Sequence, residues 1–518
     1  MNTTARPSVQ GLSVRTGAAM LLLASLCGCA LMQHEDKSSI APLPPQKIDL
    51  APDIRLARDG WPQARWWRRY GDSQLDALVE RALEQAPSMT VARERVEAGR
   101  AQARLVESST EAMVGLSATL DRQSVSSNGF LGPYGQTIPA LGTKGPWYTA
   151  GTIGLAGEYS FDIWGKDRAR VNAAIGLSQA RLAEAAQTEL LLSTQIVHMY
   201  SDIQTQYALQ ALLEQARDIE RETVVAHQAK AARGLEPRTP GELAQAHQLA
   251  MERQITATQT RIRKLREALR ALLGASGQDT VEIKPHALPA ASAQLPASLG
   301  YELLAHRPDL QAMRWTVQAS LDQVDAAKAA FYPSFDIRGF AGFDALHLDE
   351  LLHRSSRQFN LVPGLTLPIF DSGRLNANLS HARSQNRLLV AEYNQAILSA
   401  VREVAQASIE LEGLQQQAML QQGQLAAAKF ALGSAEAHYQ TGLADRVTAQ
   451  EARLPVLKEQ GLALALQSQQ IHTQIALTAA LGGGYEAAEP RPAARATASR
   501  PEARIKSNCR CQHFWHGT

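Results

Sequence analysis

The sequence predicts a mainly α-helical fold with a membrane β component, built from a duplicated unit of long coiled-coil helices and four strands per chain. Three observations predict it. Two very long stretches, Asp167 to Glu236 and Gly373 to Tyr439, contain no proline. Four short segments alternate apolar and polar residues, which is the period of a strand. The same order of features then occurs twice along the chain.

Composition agrees with helix. Of 518 residues 45% are hydrophobic and 20% charged, with 23 Pro and 35 Gly, which is globular and neither disordered nor a disulfide-stapled miniprotein. Aromatics are only 5%, while Ala, Leu and Gln recur, which suits long helices. The formal charge is +2, from 52 basic and 50 acidic residues, so there is no electrostatic footprint for nucleic acid.

The N-terminus reads as an address, residues 1–28. Arg6 and Arg15 precede an apolar run from Gly17 to Met32, the layout of a secretory signal. That run is shorter than the ~20 residues of a spanning helix, and no other run in the chain approaches that length, so a membrane span must be β. Leu26-Cys27-Gly28-Cys29 resembles a bacterial lipobox, which would make Cys29 the acylated mature N-terminus and, with Ala30 after it, direct the anchor to the outer membrane. An ordinary signal peptide with incidental cysteines is the alternative. Residues 29–65 then form a lipid-anchored extended segment. At the other end, residues 486–518 are rich in Ala, Arg and Pro, without periodicity, and read as a disordered tail. Its Cys509, Cys511, His513 and His516 match no zinc module, so no metal and no cofactor is expected.

The repeat divides the remainder at residues 66–290 and 291–485. Pro87 and the helical pattern after it are echoed from Pro308, 221 residues on. Gly165 is echoed by Gly373 and Gly234 by Gly442, both 208 residues on, so the first copy carries 13 extra residues. They are placed in the Gly-, Pro- and Asn-bearing loop Ser124–Trp147, where added length costs little. Each copy reads helix, two strands, very long helix, break, helix. At 1.5 Å per residue each long helix is a rod of about 100 Å. Ile196, Tyr200, Ile203 and Tyr207 are spaced 4-3-4, and Ile397, Val401 and Val404 begin the same rhythm, the seam of a coiled coil. This stripe is assigned to packing.

The strands are expected at about 112–122, 149–162, 334–343 and 359–369. Val114, Leu116, Ala118 and Leu120 share one face; so do Ile153, Leu155, Tyr159 and Phe161; so do Phe335, Ile337, Ala341 and Phe343; and so do Phe359, Leu361, Leu365, Leu367 and Ile369. Segments of about 9–11 residues cross a bilayer when tilted. A soluble hairpin packed on helices is the alternative. If they span, four strands cannot close a barrel, so several chains must share one.

From about Trp66 to Tyr485 the chain resembles the TolC-type outer-membrane efflux factor family, in its lipoprotein branch. The residues that carry the resemblance are Tyr70-Gly-Asp72 with Leu75, Leu78, Ala82 and Pro87; Phe161-Asp-Ile-Trp-Gly165; Arg307-Pro-Asp309 with Ala329-Ala-Phe-Tyr-Pro333; Leu367-Pro-Ile-Phe-Asp-Ser-Gly373; Tyr439-Gln-Thr-Gly442; and Leu481-Gly-Gly-Gly484. The resemblance implies a homotrimer whose 12-stranded barrel continues into a helical tunnel across the periplasm. It also implies partners, a periplasmic adaptor and an inner-membrane transporter, and a passive outer-membrane duct for small molecules such as drugs. A protein-secretion duct and a non-channel periplasmic scaffold remain the alternatives.

Physical reasons support several of these residues. Gly165 and Gly373 mark strand-to-helix turns, with Asp162 and Asp371 near the positive ends of the long helices. Gly234 and Gly442 end those helices, so the turns after them form the far tip of a tunnel, where a gate belongs. The resemblance implies a latch there, matched by Tyr439, Asp445, Arg446 and Glu451 in the second copy and by Arg238 and Glu242 in the first. Ala444 and Thr448 stand where the family has charges, and a solvated helix end is the alternative for the rest. Pro237 and Pro240 stiffen the first-copy turn. No enzyme is expected: the chain holds no His-Glu-x-x-His and no Gly-x-Ser-x-Gly, and Gly165-Lys166 lacks the rest of a phosphate loop.

Overall fold

The computed structural model describes residues 40–44, 50, 51, 54, 60–124, 126, 128, 147–277, 279, 281–289, 295, 296 and 299–486. Cys29 with its signal segment, most of the Ser124–Trp147 loop and the tail beyond 486 lie outside the described residues.

A short 3-10 turn, Trp66–Tyr70, leads into α1 (Ser73–Gln85) and α2 (Pro87–Ser108). Strands β1 (Met113–Ser124) and β2 (Trp147–Phe161) follow, then α3 (Lys166–Ala232) and α4 (Thr239–Leu272). The second half runs α5 (Gly300–His306), α6 (Pro308–Ala329), β3 (Ser334–Ala345), β4 (Arg357–Thr366), α7 (Arg374–Gln440), α8 (Arg446–Glu451) and α9 (Arg453–Ala480). Helices α2 and α6 are both 22 residues long, and α3 and α7 both 67, with starts and ends at the offsets read from the repeat. The connection between β1 and β2 spans 125–146 and that between β3 and β4 only 346–356, so extra length of the first copy does fall at this turn.

The four strands form one antiparallel sheet in the order β1-β2-β3-β4. Its register puts Leu116, Leu155, Ala341 and Phe359 in one row, and Val114, Gly157, Gly339 and Leu361 in another, so the four apolar faces become one apolar surface. The opposite surface carries Ser117, Thr119, Asp121, Thr152, Glu158, Asp336, Arg338, Asp344 and Asn360. Met113, Ala156 and Val362 are apolar residues on that side, and so is Phe340. Its ring lies over Gly154 and Gly342, where an added Cβ would sit 2.7 and 2.9 Å from Cζ. Both faces of β1 are exposed, which is costly in water for one face and suits a wall between lipid and pore. Arg122 stands over the Trp147 ring at one end of the apolar surface, at 5.6 Å.

One expectation is corrected here. The last strand stops at Thr366, and Leu367 and Ile369 leave the sheet. Thr366 pairs with Ser334, the first residue of β3, and Pro333 behind it has no N–H to continue the ladder. Pro363 falls inside β4, which is an edge strand within the chain.

Each strand pair feeds a long helix through a turn with Gly165 or Gly373 in the left-handed region, at φ of 76° and 81°. Asp162 accepts the Asp167 and Arg168 amides at 3.1 and 2.9 Å, and Asp371 accepts those of Gly373 and Leu375 at 3.0 and 2.7 Å, so both carboxylates cap the helices they precede. Below the sheet the seam is packed as its spacing requires: Ile196, Tyr200, Ile203, Ile397 and Val404 are buried. One core joins α1, α3, α4 and α9 around Val79, Ile196 and Leu269. Another joins α5, α6, α7 and α9 around Leu303, Ile397 and Leu411, with Ile54 of the N-terminal segment included. That segment is held by Asn394, whose amide accepts the Leu43 N–H and donates to the Ala41 carbonyl, both at 2.9 Å.

Among the described residues no helix is long and apolar enough to cross a membrane.

Candidate functional site

The candidate site is the end of the molecule remote from the sheet, where α3 turns into α4 and α7 into α8. Both long helices stop for the same reason. Gly234 and Gly442 take φ of 70° and 75°, and the next residue reaches back, Leu235 N to Lys230 O at 3.0 Å and Leu443 N to His438 O at 2.8 Å. The first-copy turn passes Pro237 and enters α4 with Pro240 at its start, where no N–H is needed.

The second-copy turn enters α8 with Asp445 as its cap: Oδ1 accepts the Thr448 N–H at 2.9 Å and its hydroxyl at 2.7 Å. The other oxygen, Oδ2, accepts a hydrogen bond from Lys230 Nζ at 2.6 Å. This lysine and the Thr448 donors hold the Asp445 carboxyl well below the usual carboxylate range, and the same bond pushes the Lys230 ammonium up. Next to it Arg446 Nη2 meets Glu222 Oε2 at 3.3 Å, and Gln450 donates to the same oxygen. Glu451 stands 3.9 Å from His227 Nε2, whose Nδ1 lies 2.7 Å from Glu236. Deeper, Glu220 is 8% exposed, and burial raises its carboxyl above the ordinary range against the pull of His247 at 3.6 Å. Three of the anticipated residues, Asp445, Arg446 and Glu451, are therefore gathered on α8 and turned toward α3.

The other three are not brought into this cluster. Tyr439, in the last turn of α7, is exposed, and its carbonyl accepts the Gly442 N–H at 3.0 Å. The Arg238 carbonyl accepts the Glu242 N–H at 3.1 Å, while both side chains are exposed and join no ion pair among the described residues. The sequence reading missed the α3 partners Glu222, His227 and Lys230, and Gln450. A signal was available for Lys230: it lies in the last turn of the helix that Gly234 ends, close to the tip.

The arrangement holds polar and ionic links between a short helix and a long one. The family model described as "Outer membrane efflux protein" matches residues 78–275 and 299–483. The chain belongs to the outer membrane efflux protein family. Among relatives of this efflux protein is the "Multidrug resistance outer membrane protein MdtP" of Shigella flexneri, 49% identical over 463 residues, 89% of this chain and 95% of the relative. A second is the "Putative multidrug resistance outer membrane protein MdtQ" of the same organism, 39% identical over 90% of this chain and 98% of the relative. In structure the efflux protein is similar to the outer membrane protein VceC of Vibrio cholerae, with a TM-score of 0.73 and 31% identity over 82% of this chain and all of that one. The fold is shared with the CmeC outer membrane channel of Campylobacter jejuni, with a TM-score of 0.76 and 21% identity over 88% of this chain and 95% of that chain. The protein is thus an outer membrane efflux protein and not an enzyme.

Proposed function

We propose that this efflux protein is the exit duct of a tripartite efflux system, passively conducting small toxic molecules from an inner-membrane transporter and a periplasmic adaptor to the outside. The observation that carries this reading is the open sheet. Among the described residues, strands β1 and β4 each pair on one side only, while one face of the sheet is mainly apolar and the other mainly polar. Unpaired backbone groups in lipid cost several kcal/mol each, so the edges must be joined by other copies. Three copies, the stoichiometry implied by the family resemblance, supply twelve strands. Each β pair then continues into helices of 67 residues, about 100 Å of tunnel wall. A lipid on Cys29 would tether the same assembly to the outer membrane.

The far end of this tunnel is read as its gate. The links from α8 to Glu222, His227 and Lys230 keep it closed at rest, and Tyr439, Arg238 and Glu242 are free to meet a neighbouring copy or the adaptor. The relatives' names supply the cargo class, multidrug resistance. Planar-bilayer conductance of the detergent-extracted protein tests the reading, with wild type compared against Asp445→Ala/Arg446→Ala. A small wild-type conductance and a markedly larger one in the variant is the expected result. Equal conductances would remove the latch, and no conductance from either folded protein would remove the duct.

A further inference from the structure

The two return helices differ in one respect that the duplication makes visible. In the first copy α4 is unbroken from Thr239 to Leu272. Shifted by 208 residues the same span is 447–480, and there the helix is interrupted at Ala452 between α8 and α9. Pro455 lies just after the break. Its missing N–H would have bonded the Glu451 carbonyl, and its ring crowds that carbonyl, so the helix breaks one turn before it. The first copy has His247 at the matching position, and its own prolines, Pro237 and Pro240, precede or begin α4, where they stiffen the turn without costing a bond.

The bonds on either side of Ala452 go to different helices. On the α9 side, Arg453 pairs with Glu436 of α7 at 3.0 Å, and Val456 is buried. On the α8 side, Asp445, Arg446 and Gln450 bond Lys230 and Glu222 of α3. Only Val447 and Ala449 of α8 are buried, a small apolar hold for six residues. The segment is therefore retained by exposed polar links, which are weak and exchangeable. Between the two segments Ala452 keeps a helical backbone, at φ −60° and ψ −14°, with its N–H still bonded to the Thr448 carbonyl at 3.1 Å.

We propose that Pro455 is a positioning residue for the gate: it makes Ala452 a hinge, so that opening is a swing of α8 away from α3 while α9 stays packed on α7. This rests on the reading of the tip as a gate. The first-copy turn, with its continuous helix and two prolines, is the fixed jamb against which α8 closes.

Bilayer conductance of four full-length proteins tests it: wild type, Lys230→Ala/Glu222→Ala, the same pair with Pro455→Ala, and Pro455→Ala alone. Lys230 and Glu222 are chosen because their loss leaves the Asp445 cap of α8 in place. Circular dichroism checks that Pro455→Ala does not lower helix content. The unlatched double variant is expected to conduct at least twofold more than wild type, and adding Pro455→Ala is expected to remove at least half of that increase, because a continuous helix cannot pivot at Ala452. A triple variant that conducts as much as the double one overturns the hinge and leaves the gate standing. A double variant that conducts no more than wild type overturns the gate reading, and the hinge with it.

Discussion

The Lys230 ammonium and the Asp445 carboxylate, 2.6 Å apart, join the two halves of the duplicated chain at its far tip. Lys230 is in the last turn of α3, and Asp445 caps α8 at the equivalent turn of the second copy. The two are not equivalent positions of the repeat: 208 residues on from Lys230 is His438, and Asp445 lies seven residues further, so the contact crosses from the end of one copy's long helix to the start of the other copy's return. The pair is half exposed, so it adds little to overall stability, and in the proposed reading its role is to hold α8 against α3.

Exchanging the charges should show this. Lys230→Ala is expected to raise conductance, and Lys230→Asp with Asp445→Lys to bring it back toward wild type, since the pair is rebuilt with the sign reversed. The exchange also costs α8 its cap, so recovery will be partial. The pH dependence has a definite sign. Asp445 has its folded value depressed, so its contribution is complete above the ordinary carboxylate value, about 3.9, and is lost only as pH falls through the depressed one. The conductance gap between wild type and Lys230→Ala should therefore be the same at pH 7 and pH 5, and a gap that closes by pH 5 would show that Asp445 does not carry the latch.

Much of this architecture was legible because it depends on periods and on repetition. Proline-free length gave the long helices, alternation gave the strands, and the two offsets of the repeat aligned them. The end of β4 was misplaced because alternation in Leu365, Leu367 and Ile369 continues past the point where β3 has residues left to pair with. The partners at the tip were hidden for a related reason. Asp445 and Arg446 stand out beside Gly442, but Lys230 and Glu222 lie within 67 residues of helix rich in similar charges, and only packing selects them. The break at Ala452 was within reach: Pro455 is visible in the sequence, and comparison with His247 at the matching position shows that only one copy has it.

Arg307 explains why Arg307-Pro-Asp309 stands out as a motif. It is buried at 8% exposure, with two bonds to Asp309 at 3.0 and 2.6 Å, one to Glu403 at 2.8 Å and one to the Ala480 carbonyl at 3.0 Å. It ties α6, α7 and the end of α9 together. Arg307→Met should destabilise the subunit by about 2–3 kcal/mol, mainly because the buried carbonyl and the carboxylates lose their donor. Arg307→Lys should recover little, because an ammonium cannot serve that fork. Thermal unfolding in detergent measures both, and a lysine variant as stable as wild type would mean that charge alone matters.

The closing Leu481-Gly-Gly-Gly484 has an equally local cause. All three glycines take positive φ, and a Cβ on Gly482 would sit 1.9 Å from the His306 carbonyl oxygen, one on Gly484 2.2 Å from the Gln63 backbone. Here the chain end packs backbone against backbone, beside the stacked rings of Trp61 and His306. Gly482→Ala should lower stability by at least about 2 kcal/mol, combining left-handed strain with displacement of the end of α5 before Arg307. Because the site is far from the tip, single-channel conductance of whatever protein remains folded should be that of wild type.

A different kind of test is available where α3 meets α9. The His198 and His472 rings are 4.8 Å apart and steeply inclined, and His472 Nε2 is 3.0 Å from Asp202. Burial, and then the neighbouring imidazole, push His198 down to about 4, with Asp202 pulling the other way. Between that value and the ordinary 6.5 the unfolded chain binds a proton that the folded one refuses. The contribution of His198 is therefore complete above 6.5 and is progressively lost as pH falls toward 4, a window in which Asp445 does not titrate. The melting temperature should fall from pH 7 to pH 5, and His198→Gln, which cannot be protonated, should flatten part of that slope. A variant whose melting temperature follows the same slope as wild type would show that the seam tolerates a charged His198, by moving the two helices apart or by letting water in.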